Sequence, residues 1–379
     1  MRLLIKNALI YNTTERTFER GEVLCADGRI VSPEACAEYD ETIDAQGAYL
    51  VPGLVDIHTH GRAGFDFSDA DEVALRHMSA SYLALGVTTV IPTLASDTFP
   101  GWLASIERIN AVKRDAMCVF DGLHLEGRYL NPNKRGVQSP KLLVAPDTDE
   151  LGAIIEAAGL PLHVSHAPEM DKDGAFAAFA ISHGVTLSAG HTAATYDEAK
   201  LGEARGVRSY THLFNTMNPL HHREGGTVCA ALEGDAYAEL ICDGMHISRG
   251  VVRLAYKCKG SERLVLVSDS MAGAGMPDGE YVIAGVKVYV KNGKALDADG
   301  ALGGSTLDML GALKKLMSFC EISLAEALPC ATINPARVVG LDGEIGSIEV
   351  GKRADMLLLS DDGELNLRAV IKGGTYAEL

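Results

Sequence analysis

Eight apolar runs separated by amphipathic stretches fill the chain between residues 51 and 269, and this alternation limits the fold more than any other feature. The runs are Val51–Gly61, Val87–Leu94, Met117–Leu125, Leu162–His166, Val185–Gly190, Val207–Leu213, Tyr237–Asp243 and Leu264–Asp269. Between them, Asp71–Leu85, Trp102–Arg114, Asp149–Ala158, Gly174–His183, Tyr196–Arg205 and Arg249–Lys259 carry apolar residues at helical spacing. Only the link from Leu213 to Tyr237 reads as a long connection without an assigned helix. Strand, helix and parallel strand in succession make right-handed βαβ units, so the pattern predicts a parallel sheet covered by helices. Eight units predict an α/β fold of the (β/α)8, TIM-like barrel type, with a doubly wound open sheet as the alternative.

The two ends read differently. Residues 1–50 hold short β-like runs, Leu3–Ile10, Gly21–Ala26 and Arg29–Val31, with turns at Asp27-Gly28 and Gln46-Gly47. The tail from Gly343 returns to short β runs. Residues 1–50 and 335–379 are therefore expected to form one small discontinuous β-sandwich domain, and 51–334 the barrel. After the eighth run, Tyr281–Val290 and the Asn292-Gly293 turn predict a hairpin, and Leu307–Phe319 and Leu324–Cys330 predict helices.

With 379 residues, one large domain beside a smaller one is a natural division. A net charge of -17 argues against a nucleic-acid partner, because phosphate backbones require clustered Lys and Arg. The N-terminal apolar run is broken by Lys6 and lacks a small-residue cleavage site, which argues against a signal peptide, and no stretch reaches the length of a membrane span. Eight cysteines (25, 36, 118, 229, 242, 258, 320, 330) are scattered without CxxC spacing, the usage of buried free thiols in a reducing cytoplasm. Cys242, beside Asp243, is read as inert core rather than a nucleophile.

The chemistry-bearing residues fall at the carboxyl ends of the runs. His58 and His60 end the first, Glu126 the third, His191 the fifth, His212 the sixth, His246 the seventh and Asp269 the eighth. In a barrel these ends share one mouth. His58 and His60, two apart on a strand, share a face, although an isolated HxH is as readily one functional histidine beside a bystander. Glu126, His191 and His212 supply an N/O donor set that suits zinc or iron and leaves positions open for water and substrate. Asp269 is placed to take a proton from an attacking water and return it to a leaving amine; its alternative is a helix N-cap. His124, two before Glu126, is expected behind the ligands, and His77, His163, His166 and His183 are expected to be structural or superficial. Arg223, with His221 and His222, makes a basic spot on an acidic chain, suited to a phosphate or carboxylate or else a solvated loop that Glu224 neutralises.

The segments PGLVDIHTHG, HLEG, SAGHT, THLFN, HHRE, DGMH, SDSM and LGGSTLDM, in this order, resemble the amidohydrolase superfamily and, within it, the N-acetylglucosamine-6-phosphate deacetylase family, over almost the whole chain. The resemblance implies metal-dependent hydrolysis of N-acetyl-D-glucosamine 6-phosphate to D-glucosamine 6-phosphate and acetate. It implies Glu126, His191 and His212 as principal ligands, Asp269 as general base and then acid, and one or two divalent metals, zinc or iron, per subunit. It also implies substrate contacts from Val137, Gln138, Asn215, Thr216, Arg223, His246, Leu302 and Gly303. A homodimer follows, since in this family the phosphate-contacting Arg can come from the neighbouring subunit.

Three positions depart from the family pattern. Arg128 replaces a Pro after HLEG, Gly225 stands where HREPG is usual, and Val137-Gln138 replaces Ala followed by His or Gln. Arg128 is expected to add a cation near the mouth, which would suit a second anionic group or a different sugar stereochemistry. The competing readings are a galactosamine-6-phosphate deacetylase or another amidohydrolase of N-acylated anionic substrates, a dihydroorotase-type enzyme, and a binding or scaffold protein. A dihydroorotase-type enzyme would carry a carboxylated Lys where Glu126 stands, and a scaffold would be expected to have lost its ligands.

Overall fold

The computed structural model describes residues 1–32, 38–113 and 117–378; Cys36 and Arg114 lie outside the described residues. Its centre is a nearly closed parallel barrel whose strands are Leu54–Thr59, Val87–Ala95, Leu123–Glu126, Leu162–His166, Thr186–Ala189, Val207–Tyr210, Tyr237–Ile241 and Leu264–Val267. These are the eight predicted runs. The first strand pairs with the second, and each later strand lies beside its predecessor. The eighth returns next to the first, where the Asp269 N–H donates to the His58 carbonyl at 2.9 Å.

A helix follows every strand. Four of the expected ones begin at a capping side chain, the Asp71, Thr98, Asp147 and Thr195 side chains each accepting a backbone N–H of the first turn, whereas Ala175–Ser182 and Arg249–Arg263 start without one. The link after the sixth strand, read as a long connection, contains a further helix, Gly226–Glu233. It starts at Gly225-Gly226 with no side-chain cap, so the usual signal of a helix start is missing. The third run also differs from expectation. It divides into Val119–Phe120 and Leu123–Glu126, with Asp121 between them paired to Arg353 at the barrel base.

Strands from both ends of the chain build one sheet in the order Thr375–Glu378, Leu367–Lys372, Met356–Leu359, Tyr49–Pro52, Arg2–Asn12, Thr17–Ala26, Arg29–Val31. Met356–Leu359 runs antiparallel to Tyr49–Pro52, the strand immediately before the barrel's first. Leu3, Ile5, Cys25, Leu50, Met356 and Ile371 form the buried core of this sheet. Three further strands, Gly279–Ile283, Val286–Lys291 and Lys294–Leu296, make a small antiparallel sheet with tight turns at Ala284-Gly285 and Asn292-Gly293. Both residues of each turn have positive φ, as a two-residue hairpin loop requires.

All cysteines among the described residues are free. Cys25, Cys118, Cys242 and Cys330 are buried as expected, and burial pushes the Cys242 thiol up to about 12, consistent with inert core. Cys258 departs from the expectation and is exposed, because it lies on the outer face of the helix Arg249–Arg263. No single helix among the described residues is long and apolar enough to cross a membrane.

Candidate active site

His191, His212 and Asp269 each stand two residues past the end of a barrel strand, and each has a left-handed backbone, with φ of 46°, 31° and 47°. Side chains rarely adopt this region, and residues held there cluster at functional sites. Glu126 is the last residue of its strand, His58 lies near the end of the first, and His60 follows that strand. Gly127 lets the chain turn directly after Glu126: a Cβ there would lie 2.5 Å from the backbone of Ser96.

The strand ends converge on Glu126. Its Oε1 lies 3.0 Å from His191 Nε2, 2.8 Å from His212 Nε2 and 3.5 Å from His58 Nε2, while Oε2 lies 3.1 Å from His60 Nε2. Asp269 Oδ1 is 3.4 Å from His60 Nε2 and 3.6 Å from His58 Nε2. His191 donates its Nδ1 proton to the Lys134 carbonyl at 2.8 Å, which leaves a lone pair on Nε2. That lone pair stands 3.1 Å from His212 Nε2 and faces a carboxylate oxygen. Three electron-rich atoms this close repel unless a cation or proton lies among them, and the buried His58 Nε2 and His212 Nδ1 have no hydrogen-bond partner. Two groups fit a metal by donor type and spacing, His58–His60–Glu126 and Glu126–His191–His212, and they share Glu126.

The electrostatics agree. Burial alone would depress both imidazoles of the first strand, yet Glu126 and Glu239 hold His58 well above its usual range, and Asp269 with Glu126 holds His60 at about 9. Burial opposes ionisation of Glu126 and Asp269, but the surrounding histidines keep both carboxyls below their ordinary values. His124 is buried behind the cluster, its Nδ1 3.1 Å from Thr93 Oγ1 and its Nε2 2.7 Å from Ser165 Oγ; burial and the neighbouring His58 and His163 depress it strongly. His163 and His166 are buried, while His77 and His183 are exposed.

Above the cluster opens a cavity of about 250 Å3. Val137, Gln138, Asn215, Thr216, His246 and Leu302 line it. Gly303 lies just behind this wall, packed against Val137 and Ile283. His246 is fixed by Asp243, whose Oδ2 takes its Nδ1 proton at 2.7 Å. Gln138 bridges Glu126 and Ser96, donating to the Glu126 carbonyl at 3.1 Å and accepting the Ser96 N–H at 2.8 Å. Arg223 is not brought into the cavity: it lies on the exposed loop and donates to His222 Nε2 at 2.8 Å.

Arg128 corrects its expectation. Rather than adding a free cation at the mouth, it is buried, bound to both oxygens of Glu150 and to the Asp97 carbonyl. Two contributions were absent from the sequence reading. Ile283 and Ala284, at the turn of the small antiparallel sheet, complete the cavity wall. Glu239, in the apolar seventh strand, lies fully buried behind His58; a charge inside the run YAELI was its only signal.

Comparison with known proteins supports a single grouping. The profile of the amidohydrolase family matches residues 49–376. An N-acetylglucosamine-6-phosphate deacetylase of Bacillus subtilis is 35% identical over 96% of this chain and 95% of its own. An N-acetylgalactosamine-6-phosphate deacetylase of Escherichia coli O157:H7 is 34% identical over 96% of this chain and 97% of its own. The crystal structure of N-acetylglucosamine-6-phosphate deacetylase from Pasteurella multocida superposes with a TM-score of 0.92 at 29% identity, covering all of both chains.

Proposed function

The chain belongs to the amidohydrolase family, and from that premise we propose that it hydrolyses N-acetyl-D-glucosamine 6-phosphate to D-glucosamine 6-phosphate and acetate. The observation that carries this reading is the convergence of two histidine groups on Glu126, with Asp269 beside them, at the floor of a cavity of about 250 Å3.

The family is metal-dependent, and the donor set fits that requirement. Glu126, His191 and His212 would hold the principal cation, zinc or iron, and His58 and His60 with Glu126 a second. A divalent cation bound there supplies a water of lowered pKa and polarises the amide carbonyl. Asp269, whose Oδ1 lies 3.4 Å from His60 Nε2 at the edge of the cluster, takes the proton released as the carbonyl is attacked. It then delivers that proton to the leaving nitrogen, so that the amine departs neutral. His246 is oriented by Asp243 to hydrogen-bond the substrate through Nε2. Val137 and Leu302 would pack on the sugar, with Gly303 supporting them from behind and Gln138, Asn215 and Thr216 at its polar edge.

The same reading includes a homodimer in which Arg223 reaches the phosphate of a neighbouring subunit, since Arg223 lies outside its own chain's cavity. It also includes a cytoplasmic site of action, and a division of the chain into a small domain of residues 1–50 and 335–379 flanking a barrel of 51–334. The galacto epimer is the second reading, favoured by the Escherichia coli relative. Acetate release from N-acetylglucosamine 6-phosphate, its galacto epimer and the unphosphorylated sugar, with and without a chelator, tests the proposal. Chelator-sensitive release from the gluco phosphate alone is expected; release from the galacto phosphate alone moves the assignment to the epimer, and release from none of the three removes it.

A further inference from the structure

Glu239 lies at the middle of the seventh strand with no exposed surface. Its Oε2 stands 3.1 Å from His58 Nδ1 and accepts the backbone N–H of His212 at 3.3 Å. Its Oε1 faces His163 Nε2 at 3.5 Å, and neither of these two atoms has a hydrogen-bond partner. Among the described residues, every ion pair made by Glu126, Asp269 and Glu239 is with a histidine; no Lys or Arg reaches them. Three carboxylates buried this deeply require compensating positive charge.

The 3.1 Å contact fixes the tautomer of His58. A lone pair on Nδ1 would point at a carboxylate oxygen and be repelled, so Nδ1 carries the proton and donates it to Glu239. In the neutral imidazole that a cation requires, the lone pair is then on Nε2, which is buried, has no hydrogen-bond partner, and faces Glu126 Oε1 at 3.5 Å and Asp269 Oδ1 at 3.6 Å. We propose that Glu239 is a positioning residue for the cation site of His58, His60 and Glu126: it sets the tautomer and orientation of His58 and, through the backbone of His212, ties that site to the Glu126–His191–His212 site. A carboxylate behind a ligating imidazole commonly accounts for roughly 10- to 100-fold in metal affinity. The inference rests on the metal-dependent reading given above and adds a residue that touches neither substrate nor cation.

Zinc and, in parallel, cobalt titrations of chelator-stripped protein test it, comparing wild type with Glu239→Gln, Glu239→Asp and His58→Asn. Metal content is read by elemental analysis, and folding by thermal melting of the stripped proteins. Wild type should take up two equivalents. E239Q should hold one as wild type does and bind the other roughly 10- to 100-fold more weakly, and it should be the same equivalent that H58N loses. E239D keeps the charge but recedes by a methylene, so it should weaken the same equivalent less. If E239Q does not fold, E239D decides alone.

Two equivalents held by E239Q, or by E239D where it decides, as tightly as by wild type overturn the inference, as does a wild type that takes up only one. Acetate release measured on the same preparations separates this from the substrate assignment. Weakened uptake in E239Q with no acetate from any phosphosugar leaves Glu239 in its role and removes the substrate. Unchanged uptake with normal acetate release does the reverse.

Discussion

Arg128 and Glu150 are joined by two parallel hydrogen bonds, from Nε to Oε1 at 2.6 Å and from Nη2 to Oε2 at 2.7 Å. The Tyr129 hydroxyl donates to the same carboxylate at 2.9 Å. The guanidinium is therefore neutralised within the wall between the third strand and the helix Thr148–Ala158, and it offers no charge to a ligand. Arg128→Ala leaves Glu150 without its main partner in a nearly buried place and should cost about 3 kcal/mol of stability. KM for the phosphosugar should stay within about twofold of wild type. Urea denaturation and steady-state kinetics check both parts, and an altered choice between gluco and galacto substrates would return Arg128 to the mouth.

Asp269→Asn should retain metal yet lower kcat by roughly 10^2- to 10^4-fold, the usual contribution of a positioned acid–base group. The measurement is turnover alongside metal content of the same sample. A variant that lost metal in proportion to activity would make Asp269 a ligand first and a proton carrier second.

Arg223→Ala should raise KM for the phosphorylated sugar by roughly 10- to 100-fold with little change in kcat, because a remote charge-assisted contact mostly supplies ground-state binding. Kinetics on the phosphorylated and unphosphorylated sugars check it. Identical KM values for wild type and R223A on the phosphosugar would take Arg223 out of the phosphate site.

His166 provides a pH test away from the cluster. Burial lowers its pKa to about 4, and its Nδ1 donates to the Ser188 carbonyl at 3.3 Å. The unfolded chain takes up this proton near 6.5, the folded one only near 4, so the stabilisation is complete above pH 6.5 and is lost as pH falls toward 4. The loss amounts to about 3 kcal/mol across that window. Denaturation of wild type and His166→Asn at several pH values between 7 and 4 isolates the contribution. Parallel curves for the two proteins would assign the acid sensitivity to other groups.

The barrel was legible because each strand and helix carries its own period, and the candidate ligands because they fall at or just beyond strand ends. His191, His212 and Asp269 lie at or beside the ends of their apolar runs in the sequence, but their equivalent places two residues past the strands emerge only from the structure. Pairing across the fold was not legible. Arg128 finds Glu150 on the next helix, and nothing in the local pattern distinguishes such an arginine from one facing solvent. Glu239 was hidden because its partners His58, His163 and His212 come from three other strands or their ends. The helix Gly226–Glu233 lacked a capping side chain, and the Ile283-Ala284 wall depends on how a small sheet folds over the mouth.

The pairing of Met356–Leu359 with Tyr49–Pro52 bears on how the molecule is made. The strand that leads into the histidine pair of the barrel takes its hydrogen bonds on this side from a segment synthesised only after all eight barrel strands. Until that segment emerges, Leu50 and Val51 present an open edge, and closing so long a loop costs entropy before any contact offsets it. Completion of the terminal sheet is thus a late event in folding, so the nascent chain carries its histidine-bearing barrel strands before the edge beside them is covered.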